Sequence, residues 1–344
     1  MENGMNRPLR LAVVGCGRAS ERLHMPAQAA SPDFSTTILV DRERRHATAL
    51  ADRFDVPEVS TDFHDVVGAA DAAIVAVPNH LHGAIGQYLL EHGVHVLVEK
   101  PMALTVRECD GMIAAAESSG ATLFVGLIRR SYPTFRFVKG LLDRGILGRV
   151  RDFDFQEGAV YGWRSASSGN LRKESGGGVL TDIGSHLLDT LTWWLGDARV
   201  LEYRDDARGG VEAECRIHLA LPDGATGVVR LSRLRPLRNT YRIQTEYAEV
   251  EVDAGVGGNI RLSMSEGAPA LDGRVSGPQG NPGLSELFNE QLADFAHSIR
   301  TGRTPATSGR EGRRAIALIE ACRKTRENLP EPWAADEAEG LHVV

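Results

Sequence analysis

The densest set of residues able to do chemistry in this chain is the run Gly176-Gly-Gly-Val-Leu-Thr-Asp182-Ile-Gly-Ser-His186-Leu-Leu-Asp189. Consecutive glycines let the backbone pass close to another group. The residues after them read as a helix. On it Asp182 and His186, four apart, share a face with Asp189. A carboxylate beside an imidazole is a standard acid–base arrangement, because the acid orients the ring and stabilises its protonated form. An ordinary capped helix with a core histidine fits the same spacing. The second candidate is Lys100, in Glu99-Lys100-Pro101. It ends a buried apolar run and precedes a proline that fixes the turn. A lysine there is costly unless it is paired or used, and Glu99 is the partner at hand; a plain Lys–Glu surface pair is the alternative. Only four lysines (Lys100, Lys139, Lys173, Lys324) stand among the 39 basic residues. In so arginine-biased a chain, a lysine that survives carries some weight.

The elements that must position these residues follow from the hydrophobic pattern. Short apolar runs at 11–14, 37–40, 71–77, 94–98 and 122–125 alternate with amphipathic stretches at 19–30, 43–53, 80–91 and 105–119. Continuous apolar strands separated by helices predict a parallel sheet covered on both faces, an α/β doubly wound Rossmann domain that binds ligands at the carboxyl ends of its strands. The loop after the first strand, Gly15-Cys-Gly17-Arg18-Ala19-Ser20, nearly fits G-x-G-x-x-G/A. Gly15 permits the tight turn, Gly17 lets backbone amides approach a pyrophosphate, and the helix that opens with Arg18 and Ala19 offers its positive end. Asp41 ends the second strand, where a carboxylate can accept both ribose hydroxyls and repel a 2′-phosphate, so it favours NAD over NADP. Arg42 and Arg45 keep NADP open, and a solvated strand end would also explain Asp41. Two further loops leave carboxyl ends of strands and complete the expected cofactor cleft: Pro78-Asn79-His80-Leu81-His82 and Glu99-Lys100. Asn79 could instead cap the next helix. His80 and His82 have no acid or cysteine at ligand spacing, so no metal site is expected.

After a helix at 132–144 the alternation ends near residue 147. Half-buried strands are expected at 150–158, 199–204, 211–221, 226–235, 240–247 and 248–253, with Pro222-Asp-Gly224 as a turn. A Gly/Pro-rich loop spans 265–283, and helices cover 284–301 and 308–327. This is an α+β domain on an open, mostly antiparallel or mixed sheet. The expected division is 1–128, 129–330 and a tail at 331–344. One sheet face lacks local helices, and an apolar open face would serve as an oligomer interface.

Composition narrows the classes. A chain of 344 residues is long enough for two domains, and a net charge of −7 gives no basic footprint for nucleic acid. No apolar run of about 18 residues predicts a membrane span. The N-terminus lacks the regions of a signal peptide, so a cytoplasmic protein is expected. Four scattered cysteines imply neither a disulfide framework nor a zinc knuckle.

The order and spacing of GCGRAS, PNHLH, EKP, GLIRRSYPTFRFVKGLLDRGILG and GGGVLTDIGSH resemble the Gfo/Idh/MocA oxidoreductases along essentially the whole chain. The resemblance implies a Rossmann domain, an open-sheet α+β domain, and homodimers or homotetramers built through that sheet. It implies catalysis by Lys100, Asp182 and His186. His186 takes the proton of a substrate hydroxyl, Lys100 hydrogen-bonds the same oxygen, Asp182 positions the substrate or the imidazole, and NAD takes the hydride. Ser20, at the third small position, is the one departure. The substrate class is a sugar, amino sugar, cyclitol or aminoglycoside. The bias to arginine, with abundant Ala and Gly, fits a GC-rich genome and a role in aminoglycoside biosynthesis, and an inositol or hexose dehydrogenase of catabolism is the rival. Arg129, Tyr161, Trp163 and Lys173, with Arg130 and Tyr132, lie on segments expected to border the substrate. The alternatives are an NADP-dependent ketosugar reductase acting on a nucleotide sugar and a dinucleotide-binding sensor; retention of the lysine and histidine argues against the sensor.

Overall fold

The apolar runs form the first sheet because helices cover both of its faces. Its strands are β1 (Leu9–Val14), β2 (Phe34–Val40), β3 (Glu58–Ser60), β4 (Ala72–Val75), β5 (His95–Val98) and β6 (Leu123–Val125). All are parallel, in the order β3-β2-β1-β4-β5-β6. The computed structural model describes residues 7–160, 162, 171–264, 270–276, 280 and 282–330. Every residue of β4 is buried, as a strand sealed on both faces requires. The covering helices include α1 (Met25–Ala29), which continues a π-helical turn at Ser20–His24, α2 (Arg44–Phe54), α3 (His82–Glu91) and α4 (Val106–Ser119). A reciprocal capping box between Thr105 and Glu108 starts α4. The pattern does not predict β3, a three-residue edge strand with no buried residue and so no apolar signal.

The rest of the chain forms α5 (Pro133–Asp143), β7 (Val150–Gly158), α6 (Val179–Leu195), β8 (Arg199–Asp205), β9 (Glu214–Ala220), β10 (Thr226–Ser232), β11 (Thr240–Thr245), β12 (Ala248–Asp253), β13 (Asn259–Met264), β14 (Leu271–Arg274), α7 (Leu284–Thr301), α8 (Gly309–Lys324) and β15 (Arg326–Asn328). The nine strands of this second sheet run β14-β13-β12-β11-β7-β10-β9-β8-β15. Pairs β7–β10 and β8–β15 are parallel and the others antiparallel, so the sheet is mixed. Two strands lie where the sequence predicts otherwise. β14 falls inside the expected 265–283 loop, and β15 takes residues expected to end the last helix. Both are fully exposed edge strands, so neither has the burial that imprints alternation.

Helix α6 carries Asp182 and His186, and its other side is almost wholly buried. Leu187, Leu188 and Leu191 are fully buried, each stabilising by roughly 1.5–3 kcal/mol over an exposed position. The packing of α6 is therefore set by apolar burial, and the charged residues ride on it. Helices α7 and α8, which the sequence places in the second segment, return to the first sheet. Phe295 of α7 meets Phe34 and Phe124, and Gly309 and Gly312 of α8 close on Leu123 and Val125.

The open face of the second sheet differs from the apolar surface expected. One cross-strand row reads Glu202, His218, Val228, Asp154, Arg242, Glu251, Arg261, Asp272. Only Val228 in this row is apolar. Its polar groups pair laterally: Arg242 with Glu251, His218 with Glu202, and Arg261 with Asp272.

Candidate active site

The glycine loop sits between the carboxyl ends of β1 and β4. Gly15 has φ +98°, and a Cβ there would lie 2.4 Å from the Ala76 carbonyl oxygen, so only glycine fits. No atom lies within 4 Å of the Cβ position at Gly17, so the loop backbone faces open space there. The Ser20 hydroxyl donates to the Gly15 carbonyl at 2.5 Å, which explains why serine is accommodated at the third small position. Asp41 accepts the Cys16 amide at 2.8 Å and the Glu43 amide at 2.9 Å. The carboxylate thus spans the β1 loop and the end of β2. Arg18 and Ala19 are half-buried on the same loop, and Arg42 is almost fully exposed. An open glycine backbone beside a fixed carboxylate fits a dinucleotide; Gly15, Gly17, Arg18, Ala19 and Asp41 are the residues that would hold it.

The other two loops close the cleft, and here the structure corrects local readings. Asn79 makes no side-chain cap for the turn it begins; its Nδ2 donates across to the Gly176 carbonyl at 3.2 Å. His82 is buried, with Nδ1 2.7 Å from the Pro101 oxygen and Nε2 2.8 Å from the Val77 oxygen. It ties the loop after β4 to the loop after β5, while Pro78 stands exposed beside it. Among the described residues, no group of three or more His, Cys, Asp or Glu side chains could hold a metal ion. Glu99 does not pair with the Lys100 ammonium. Its Oε1 meets His24 Nε2 at 2.8 Å, and its Oε2 accepts the Lys100 backbone amide at 3.1 Å. Burial would push the Glu99 carboxyl up, but His24 and the neighbouring Lys100 hold it below its ordinary value.

Lys100 instead reaches across to α6. Its Nζ donates to Asp182 Oδ1 at 3.0 Å and to the Asp182 carbonyl at 3.1 Å. An ammonium has three donors, so one remains for a substrate oxygen. The second carboxylate oxygen of Asp182 accepts Arg233 Nη2 at 2.6 Å. Burial would raise the Asp182 carboxyl, but Lys100 and Arg233 outweigh it and hold the pKa at about 2. The expected Asp182–His186 contact is therefore absent, because cations claim both carboxylate oxygens. Asp189 is also unavailable: it lies in a buried, two-pronged pair with Arg130.

His186 is half-buried on the same face, and among the described residues no group is hydrogen-bonded to its ring. Burial, then the charges of Lys100 and Arg129, push its imidazole well below the ordinary histidine value. His186 is thus neutral at neutral pH and able to accept a proton. Arg129 is held from behind by Glu157, with Nη2 donating to Oε2 at 2.8 Å, and by the Tyr241 hydroxyl. Tyr241 stacks on Phe155 at 4.6 Å, so this cation rests on the core of the second sheet. Lys173 is exposed on the turn before the glycines. Tyr161 and Trp163 lie outside the described residues. The start of α6 depends on Gly178, at φ +108°, where a Cβ would fall 2.1 Å from Glu212 Oε1. Glu212 caps the helix by accepting the Val179 and Leu180 amides.

A glycine-loop Rossmann sheet facing a lysine, a histidine and a doubly paired aspartate defines a dinucleotide-dependent oxidoreductase. Residues 9–127 match the "Oxidoreductase family, NAD-binding Rossmann fold" and residues 135–255 the "GFO/IDH/MocA C-terminal domain"; the chain belongs to the Gfo/Idh/MocA family of NAD(P)-dependent sugar dehydrogenases and reductases. It is 30% identical to the dTDP-3,4-didehydro-2,6-dideoxy-α-D-glucose 3-reductase of Actinomadura kijaniata, over 94% of this chain and 97% of that one. It is 34% identical to an Amycolatopsis mediterranei protein provisionally assigned as a UDP-kanosamine synthase oxidoreductase subunit, over 55% of this chain and 52%, about half, of that one. The crystal structure of aldose-aldose oxidoreductase from Caulobacter crescentus, complexed with glycerol, superposes with a TM-score of 0.82 at 27% identity, covering 93% of this chain and 97% of that one. Among the described residues, no helix is long and apolar enough to cross a membrane.

Proposed function

We propose that this protein is an NAD-dependent dehydrogenase that oxidises a secondary ring hydroxyl of a sugar, amino sugar, cyclitol or aminoglycoside-type substrate to the ketone. The observation that carries the reading is the meeting of Lys100 and Asp182, from the two halves of the chain, beside a neutral His186. His186 accepts the hydroxyl proton, and the free Lys100 donor stabilises the charge that develops on the same oxygen. Asp182 and Arg233 hold that ammonium in place. A bound nicotinamide dinucleotide supplies the two-electron hydride acceptor. Arg129 and Lys173, with Tyr161 and Trp163, are the candidates for substrate contact. Asp41 supports the choice of NAD, since a second anion beside it would be repelled. Position 3 of a hexose ring is the favoured site of attack. The names of the Actinomadura kijaniata 3-reductase and the Escherichia coli D-glucoside 3-dehydrogenase both carry that position. The same kijaniata relative, matched over nearly its whole length, favours as second reading a ketosugar reductase acting on a nucleotide sugar, with NADP as the cofactor that the exposed Arg42 beside Asp41 keeps open. Assembly as a homodimer or homotetramer belongs to the same reading, through a sheet face of laterally paired polar groups rather than the apolar one expected.

The test supplies NAD and NADP separately to the purified protein against inositols, hexoses, amino sugars, aminoglycosides and nucleotide sugars, with the corresponding ketones in the reverse direction. Turnover with NAD and one hydroxyl class is expected. Turnover only with NADP and a nucleotide-linked ketone would replace the first reading by the second. Dinucleotide binding without turnover in either direction would sink both.

A further inference from the structure

Resting on that reading, we infer that Arg233 is a positioning residue of the reaction: it clamps Asp182 so that the Lys100 ammonium is held with one donor aimed at the substrate. Arg233 leaves the end of β10, its amide bound to the Ala213 carbonyl at 2.8 Å and its side chain only 4% exposed. A buried guanidinium this close to a carboxylate forms a strong, directional, charge-assisted bond. Without it, Asp182 Oδ2 would be free to turn toward His186 one helical turn away, or to close as a fork on Lys100 and take up its third donor. Either movement removes a group the reaction needs. Arg233 also acts on His186 through Asp182. The charges that push the imidazole down are those of Lys100 and Arg129, and a carboxylate released from Arg233 and turned toward the ring would add a negative charge beside it. A merely structural arginine would have no reason to affect the histidine.

The experiment compares wild type with Arg233→Gln and Arg233→Lys. The expected result for Arg233→Gln is a kcat lower by about 10- to 100-fold with little change in KM. The acid limb of its kcat/KM profile should move up by about half a pH unit or more as His186 becomes easier to protonate. Arg233→Lys, which keeps the charge but not the planar guanidinium, should hold the limb at its wild-type position and recover part of kcat. Two measurements without substrate separate this proposal from the proposed function. With lysine labelled at Cε, four lysines give four NMR signals, and that of Lys100, assigned through Lys100→Arg, should lose order in Arg233→Gln. The His186 ring, assigned through His186→Asn, should titrate at higher pH. If wild type proves inactive on every sugar, these two signals still decide. An unchanged Lys100 order together with an unchanged His186 titration overturns the proposal. So does a loss of kcat that is equal in the Lys and Gln variants and follows a loss of folded protein. Should Arg233→Gln fail to fold, Arg233→Lys carries the same readouts, and wild-type kcat in that variant with Lys100 mobile would overturn it.

Discussion

Replacing Asp182 by asparagine removes the one anion lying between two cations. The carboxylate is 3.0 Å from Lys100 Nζ and 2.6 Å from Arg233 Nη2, and its side chain is about a quarter exposed. Its pKa falls from the ordinary 3.8 to about 2. At about 1.36 kcal/mol per unit, this corresponds to roughly 2.5 kcal/mol of stability. The Asp182→Asn variant would forfeit that amount and leave Lys100 and Arg233 facing a neutral amide. Removing one member of a fully buried pair costs about 3–5 kcal/mol; with the partial exposure, about 3 kcal/mol is expected at pH 7. The carboxylate pKa is depressed in the folded state, so its contribution is complete above about pH 4 and is lost as pH falls toward 2. The gap between wild type and Asp182→Asn should therefore be constant from pH 7 to 5, shrink through pH 4 and nearly close by pH 2. Urea unfolding followed by fluorescence of Trp193 and Trp194, which lie on the same helix, measures it at each pH. A gap below about 1 kcal/mol at pH 7, or one that persists undiminished at pH 3, would refute the reasoning.

The catalytic assignments make plainer predictions. Lys100→Met and His186→Asn should each lower kcat/KM by roughly 10²–10⁴-fold, with the NAD dissociation constant, measured by calorimetry, changed by less than about threefold. Wild-type turnover in either variant would remove that residue from the mechanism. Because burial, Lys100 and Arg129 push His186 down, the acid limb of the kcat/KM profile for oxidation should lie below pH 6.5, the ordinary histidine value. An acid limb above 6.5 would contradict that environment. Asp41→Ala should reduce the preference for NAD over NADP by at least about tenfold, as read from the two dissociation constants, and an unchanged ratio would mean that Asp41 serves only the loop amides it already binds.

Much of the fold was legible because burial on both faces writes itself into the sequence as uninterrupted apolar runs, as in Ala72–Val75. The elements that escaped, β3, β13, β14 and β15, are short, at an edge or, like β13, only sparsely buried, so little burial imposes a pattern on them. The site was legible in residue type more than in pairing. Lys100 and Asp182 stand out by local context, yet their contact spans 82 positions. Arg233, which completes the pair, sits in LSRLRPLR among other arginines with nothing local to single it out. Glu99 looked like the partner of Lys100 because adjacency is all a sequence displays; its actual partner, His24, is 75 positions away on the turn after the glycine loop. The i, i+4 spacing of Asp182 and His186 predicted a shared face correctly. It could not say that stronger acceptor demands from two cations would decide where the carboxylate turns.

On the proposed reading, that choice of partner determines what kind of base His186 would be. In an Asp–His dyad the carboxylate stabilises the imidazolium and raises its pKa. Here the carboxylate is spent on Lys100 and Arg233, and the histidine feels mainly burial and positive charge. The ring is a weaker base but stays unprotonated over a wider pH range. A proton taken from a substrate hydroxyl would then be readily released to water. Protonated His186 is, by the same reasoning, a strong acid, suited to protonating the oxygen of a ketone during reduction but scarce at neutral pH. Oxidation consumes the abundant neutral form and reduction the scarce charged one. On the proposed mechanism a rise in pH would therefore speed oxidation at this site and a fall would speed reduction, while the concentrations of alcohol, ketone and dinucleotide set the direction.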